Sequence, residues 1–204
     1  MPLQLPPEAF QKDDRTPDSR FYAVPRLVTH IDDGAIAAIT EAYREILPPG
    51  GTVLDLMSSW VSHLPPEVDY EVIGHGMNAE ELAANPRLKR WWVQDLNADA
   101  RLPLEDGTLD ATCICVSIQY LQDPVAVLRE LRRALRPGTP VVISFSNRCF
   151  PTKAVAIWLA LGGRGQTRLV SHYLDSAGFR TVEARELRPL GGRGDPLWIV
   201  TGRA

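Results

Sequence analysis

Residues able to do chemistry recur in this sequence at one kind of place, directly after short apolar runs. Asp55 closes Thr52-Val53-Leu54; His75, Met77 and Asn78 follow Tyr70–Gly74. Asp95, Leu96 and Asn97 follow Trp91–Val93, while Ser117, Gln119 and Tyr120 close the run LDATCICVS. If each run is a buried parallel strand, these residues share the carboxyl edge of one sheet, where open α/β sheets bind their ligands. The inventory suits an adenosine-like ligand. Such a ligand needs acceptors for ribose hydroxyls, a carboxylate or amide for the adenine edge, and an apolar slot for the ring. His63 and His75 ionise near neutrality and could serve as general bases, although lone histidines so placed are more often helix-face or capping residues.

The elements that must position these groups alternate along the chain. A proline- and charge-rich arm over Met1–Pro25 is expected to pack only locally, through Phe10, Phe21 and Tyr22. Apolar residues at helical spacing predict a helix over Ile31–Leu47, capped by Thr29 or Asp32 and stopped by Pro48-Pro49-Gly50-Gly51. Strands are expected at Thr52–Leu56, Tyr70–Gly74, Trp91–Val93, Leu109–Ser117 and Pro140–Ser146. Ser59–His63 reads as a short turn or helix, and a helix is expected near Ala79–Ala84. Asp123-Pro124 opens the clearest helix, whose stripe Val125, Val127, Leu128, Leu131 and Leu135 faces inward. Further helices are expected over Thr152–Leu161 and Gln166–Ala177, separated by a Gly/Arg-rich loop at Gly162–Gly165. Thr181–Leu187 and Leu197–Gly202 read as a terminal antiparallel hairpin. Together these predict an α/β fold: a Rossmann-like, doubly wound, mostly parallel seven-stranded sheet with helices on both faces.

Bulk properties narrow the function classes. The chain has 204 residues, 45% hydrophobic and 23% charged, with a net charge of -3. That composition fits a soluble globular protein, and the charge gives no case for nucleic acid or anionic lipid. Arg180, Arg185, Arg188, Arg193 and Arg203 are interspersed with acids and read as a solvated surface. No apolar stretch approaches the roughly 20 residues a bilayer requires. Met1-Pro2-Leu3-Gln4 lacks the basic and apolar start of an export signal, and cytoplasmic residence is expected. Cys113 and Cys115 share one face of a strand and read as buried thiols. No Cys or His pair has zinc-type spacing with a matching second pair, so no metal is expected.

From about Leu47 to the end the chain resembles the class I S-adenosylmethionine-dependent methyltransferases. The likeness rests on VLDL (Val53–Leu56), VIGHGMN (Val72–Asn78), LPLEDGTLD (Leu102–Asp110) and ELRRALRPGTPVVIS (Glu130–Ser144). It looks like a type 11-like branch whose first loop reads DLMSSWVSHLP. The resemblance implies an arm and helix over 1–47 on a cofactor-binding domain over 48–204. It also implies S-adenosylmethionine as cofactor and a small-molecule acceptor, with a non-catalytic binding or interaction module on the same fold as the alternative. Cofactor-binding residues would be Asp55, Met57, Ser58, Ser59, Met77, Asn78, Asp95, Leu96, Asn97 and Ser117, with Asp99 the rival of Asp95. Trp60, Gln119, Tyr120, Asn147 and Arg148 would face the acceptor. Arg148 would meet an anionic group of the acceptor or a carboxylate of the arm. Tyr22, Arg26 and His30 could form a lid. The catalytic residue is unknown, with His63 and Tyr120 the candidates.

Two departures from the family pattern stand out. Its first loop is typically acid-x-Gly-x-Gly, whereas Met57, Ser59 and Val61 stand here. The second strand usually ends in an acid for the ribose, and Gly76 occupies that place. Ser58, Ser59 and Ser62 could donate to a carboxylate as glycine-loop amides do, with Trp60 as a wall or a core anchor.

Overall fold

In the computed structural model, residues 5–204 are described; the Met1–Gln4 start lies outside them. The helix expected to lead the domain is α2, after a one-turn α1 (Asp18–Phe21). It spans Asp33–Ile46, and the Asp32 side chain accepts from the Ala35 N–H, satisfying one of the orphan donors of a first turn. The sheet then builds from β1 (Thr52–Leu56), β2 (Glu71–Gly76), β3 (Arg90–Val93), β4 (Ala111–Cys115), β5 (Pro140–Phe145), β6 (Arg180–Arg188) and β7 (Leu197–Arg203). Its order is β3-β2-β1-β4-β5-β7-β6. The first five strands run parallel, and β7 pairs antiparallel with both β5 and β6. The chain reverses direction of winding between β1 and β4, which opens a crevice at their carboxyl ends.

Alternation along the strands divides the core. Val53 and Val72 face α2, against Ala35, Ile39 and Tyr43. Leu54, Leu56 and Ile114 face the opposite layer. That layer holds α4 (Pro124–Ala134) and α6 (Gly163–Ala177), packed on each other. In α4 the stripe Val127, Leu128 and Leu131 is fully buried, each side chain worth about 1.5–3 kcal/mol of transfer free energy. Asp123 caps it, accepting from the Ala126 N–H at 3.0 Å. The remaining helices are short: α3 (Ala79–Ala84) after β2, and α5 (Ala156–Ala160) after β5. Among the described residues no helix is long and apolar enough to cross a membrane.

Several expectations are corrected. Ser59–His63 is an irregular loop. The helix expected over Thr152–Leu161 is reduced to α5, because Lys153 is wholly buried and bound to carbonyls of the arm. The supposed Gly162–Gly165 loop is the first turn of α6, whose end is set by Gly178 at φ 91°. The arm does more than pack locally. Lys153 Nζ meets Thr16 O at 2.6 Å, Asp14 Oδ2 at 3.1 Å and Asp18 Oδ1 at 3.3 Å, and Lys12 pairs with Asp18. These buried charges pin residues 12–18 to the domain, and residues 18–30 continue from there as a strap across the carboxyl edge of the sheet.

Candidate functional site

Under that strap lies a cavity of about 410 Å³. Five strand ends and the strap wall it. From the β1 end come Asp55, Met57, Ser58, Ser59, Trp60 and His63; from the β2 end, Met77 and Asn78. Asp95, Leu96 and Asn97 follow β3, Ser117 and Tyr120 follow β4, and Asn147 and Arg148 follow β5. Gln119 is the exception. It is buried away from the cavity, its amide donating to the Val116 carbonyl at 2.7 Å. Asp99 also stands outside, exposed, and accepts from the Arg101 N–H.

Asp55 forms the floor. It is 6% exposed, and its Oδ2 accepts the hydroxyls of Ser58 at 2.6 Å and Ser62 at 2.5 Å. Burial raises its carboxyl above the ordinary range, opposed by those two hydroxyls. The serine hydroxyls therefore point inward at protein acids; Ser59 does likewise, donating to Glu81 Oε2 at 2.6 Å.

The loop's backbone is organised by His75. Its Nδ1 accepts from the Met57 N–H at 3.2 Å, which leaves Nε2 protonated and donating to the Gln94 carbonyl at 3.0 Å. The Ser58 N–H donates to the His75 carbonyl at 2.6 Å. Burial drives the His75 pKa down to about 4, so the ring is neutral at pH 7. It serves as a bridge, with both nitrogens occupied, rather than as a free base. Beyond Ser58 the pattern changes: no backbone N–H from Ser59 to Leu64 has an acceptor among the described residues, and all six residues line the cavity. The loop thus leaves six backbone donors without a partner among the described residues, and it does so without glycine. Its entry is strained, Met57 having φ 59°, and the β4 exit matches it with Val116 at φ 44°. A β-branched residue there costs about 1–3 kcal/mol, a type of strain that clusters at functional sites.

At the β2 end Gly76 is required sterically. A Cβ on it would lie 2.6 Å from the Ser58 carbonyl oxygen. Asn78 caps α3, accepting from the Glu80 and Glu81 N–H groups, and its Nδ2 donates to Tyr22 O at 2.9 Å and Ala23 O at 3.3 Å. After β3, the Asp95 carboxylate accepts only the Asn97 N–H among the described residues. Asn97 is structural, giving its amide to Asp18 and to the Tyr120 carbonyl and accepting from the Gln122 N–H. The Ser117 hydroxyl is buried with no partner among the described residues.

Toward the mouth, Trp60 is half-buried and donates from Nε1 to Val28 O at 3.0 Å, tying the loop to the strap. Burial lowers the pKa of His63, with His30 adding to the effect, and burial also lowers that of His30. Among the described residues neither imidazole has a hydrogen-bond partner, so two neutral bases face the cavity. Tyr120 accepts the Phe150 N–H at 2.9 Å, and burial pushes its pKa up to about 12, removing it as a base at neutral pH. Arg148 lies 3.8 Å from Asp195, in the β6–β7 loop rather than in the arm. Arg26 stacks over Phe21 at 4.5 Å, with no carboxylate on its guanidinium. Among the described residues no group of three or more His, Cys, Asp or Glu could hold a metal ion.

Sequence reasoning missed Glu81 and Asp18, both of which line the cavity. Glu81 stands three residues after Asn78, the spacing of a capping box, which would have assigned it to the helix end. Asp18 carries no local signal, since its partners Lys12, Asn97 and Lys153 come from three separate segments.

Comparison with known proteins bears on this geometry. Residues 58–143 match the family model of a methyltransferase domain. An uncharacterized methyltransferase of Mycobacterium sp. strain KMS and its counterpart in strain MCS are each 26% identical over 176 residues, 83% of this chain. The chain spans 66% of the length of those relatives. A SAM-dependent methyltransferase from Aquifex aeolicus superposes over 98% of both chains, with a TM-score of 0.58 and 18% identity. Phosphoethanolamine N-methyltransferase 2 from Haemonchus contortus, solved with S-adenosyl-L-methionine, gives a TM-score of 0.61 at 13% identity. That match covers 84% of this chain and 52% of the Haemonchus chain. At such identities the structural likeness speaks for the fold.

Proposed function

We propose that this chain, whose residues 58–143 match a methyltransferase domain and whose fold is shared with SAM-dependent methyltransferases, transfers a methyl group from S-adenosylmethionine to a small-molecule acceptor. The observation that carries this reading is the row of free N–H groups from Ser59 to Leu64, with Asp55 beneath it and Asp95 beyond β2, at the crevice between β1 and β4. Free amides suit the cofactor's carboxylate, Asp55 its ammonium, and Asp95 with Leu96 its adenine. Ser117, Met57 and Met77 would complete the wall, and residues 48–204 would form the cofactor domain under the strap and helix of 1–47.

When bound, the cofactor supplies an electrophilic sulfonium methyl, which leaves the protein to position, desolvate and manage protons. His63 would accept the proton of a hydroxyl or amine acceptor on a free ring nitrogen. Trp60, Asn147 and Arg148 would orient the acceptor. A small acceptor is favoured because the strap roofs the cavity, tied down at Asn78, Glu81 and Trp60. The test is transfer of labelled methyl from S-adenosylmethionine into a whole-cell extract that is then fractionated. Label in the small-molecule fraction supports the reading; label confined to protein or nucleic acid replaces the acceptor class.

One observation favours a second reading, a non-catalytic binding module. The Ser58 and Ser62 hydroxyls and the Met57 and Ser58 amides are all satisfied internally. Cofactor binding with no label in any fraction would support it.

A further inference from the structure

A ribose diol bound at this edge needs an acceptor near the β2 end, where nucleotide-binding sheets supply a carboxylate. The residues expected to provide one are all unable to. Gly76 has no side chain, and the Ser58 carbonyl fills the space where one would start. Both nitrogens of His75 are engaged and the ring is 1% exposed. Asn78 spends its oxygen on two N–H groups of α3 and its amide on two strap carbonyls.

The carboxylate that does reach the cavity from the β2–α3 connection is Glu81. Its Oε1 accepts the Arg26 N–H at 2.7 Å and its Oε2 accepts the Ser59 hydroxyl at 2.6 Å. Ser59 directly follows the carbonyl that displaces a side chain from Gly76, so this carboxylate hangs beside the blocked position. Each carboxylate oxygen has two lone pairs, and one on each remains free. Two donors, one from the strap and one from the first loop, fix the group's orientation before any ligand arrives. The competing carboxylates are committed elsewhere. Asp18 is held by Lys12, Lys153 and Asn97, Asp55 lies on the floor, and Asp95 stands beyond β2 at the end of β3.

We infer that Glu81 receives the ribose diol of the adenosyl cofactor, in place of the acid that the β2 end lacks. The inference rests on the cofactor reading proposed above. It makes ribose recognition and strap closure share one carboxylate, since the Arg26 N–H and the sugar hydroxyls would bind the same group.

The test is calorimetric titration of the full chain with S-adenosylhomocysteine and its 2′-deoxy and 3′-deoxy forms. Wild type, Glu81→Gln and Ser59→Ala are compared after melting curves confirm that each is folded. Hydrogen bonds to an ionised partner predict that wild type favours the intact ribose by about tenfold to hundredfold. Glu81→Gln, which keeps the shape and an acceptor for the Arg26 N–H, is expected to reduce that preference to about threefold or less. Ser59→Ala removes the tie to the loop but leaves the carboxylate, so the preference is expected to survive. Equal weakening of all three ligands by Glu81→Gln would make Glu81 a strap anchor only and overturn the inference. So would a wild type indifferent to the missing hydroxyls, which decides the matter even if a variant fails to fold. Wild type binding none of the three ligands would remove the cofactor reading itself, a result distinct from either.

Discussion

Replacing His75 by Gln separates two consequences of one buried ring. At pH 7 the substitution retains a donor for the Gln94 carbonyl but leaves the Met57 N–H, at a residue with φ 59°, without its acceptor. An unsatisfied buried donor costs about 1–3 kcal/mol, and the contact with Trp92, whose ring centroid is 5.2 Å away, is lost as well. As pH falls, this advantage shrinks. The unfolded chain protonates His75 near 6.5, while the folded chain resists until about 4, because burial penalises the charged ring. Between those values the unfolded state binds more protons, so wild-type stability falls with pH. A gap of roughly 2.5 units at about 1.4 kcal/mol per unit makes the full loss about 3.5 kcal/mol. His75→Gln lacks this loss. Urea denaturation at pH 7, 6, 5 and 4.5 should therefore show wild type ahead at pH 7 and the two proteins converging toward pH 4. His30 and His63, also lowered, and Asp55, raised, act in both proteins and cancel in the difference. Parallel pH profiles for the two proteins would refute the assignment of His75 as a neutral bridge.

Other expected outcomes follow from the same contacts. Gly76→Asp, which supplies the acid that nucleotide-binding sheets carry at this strand end, is expected to weaken S-adenosylhomocysteine binding at least tenfold, since its Cβ would meet the Ser58 backbone carbonyl at 2.6 Å; tighter binding in a calorimeter would contradict this. Lys153→Met leaves Asp14 without its cation and Asp18 with Lys12 alone, and is expected to lower the midpoint of thermal or urea unfolding. The same variant should be cut faster by trypsin at Arg15 and Arg20, and an unchanged digestion rate would mean that the strap is held elsewhere. Asp95→Ala is expected to weaken cofactor binding about tenfold while leaving the melting temperature within a few degrees; unchanged affinity would mean that another acid meets the adenine.

Much of the frame was legible because it is local. Breaker, β-branched run and acid identify β1 and Asp55, and Asp123-Pro124 with its apolar stripe identifies α4, since capping and periodicity are short-range physics. Strands β1, β4, β5 and β7 follow from continuous apolar runs, whereas β6 is charged and mostly exposed. What escaped was non-local. Nothing in MSSWVSHL says that its hydroxyls turn onto Asp55 and Glu81 while its amides stay free. The arm reads as packing only locally because its anchors, Asp14 and Asp18, meet Lys153 from the far side of the sequence. Lys153 in turn broke the helix expected around it. Gln119 and Tyr120 sit next to each other at the β4 end, yet the single turn at Ile118–Tyr120 buries the first and gives the second to the cavity.

The central claim is that the loop after β1 binds an adenosyl cofactor without glycines, through the free amides of Ser59 to Leu64 above Asp55. Calorimetric titration with S-adenosylmethionine, S-adenosylhomocysteine and, as a control, NADH tests it most directly. The account predicts saturable heat with the first two at micromolar concentrations and none with NADH. No heat with either adenosyl ligand, well above that range, would contradict it.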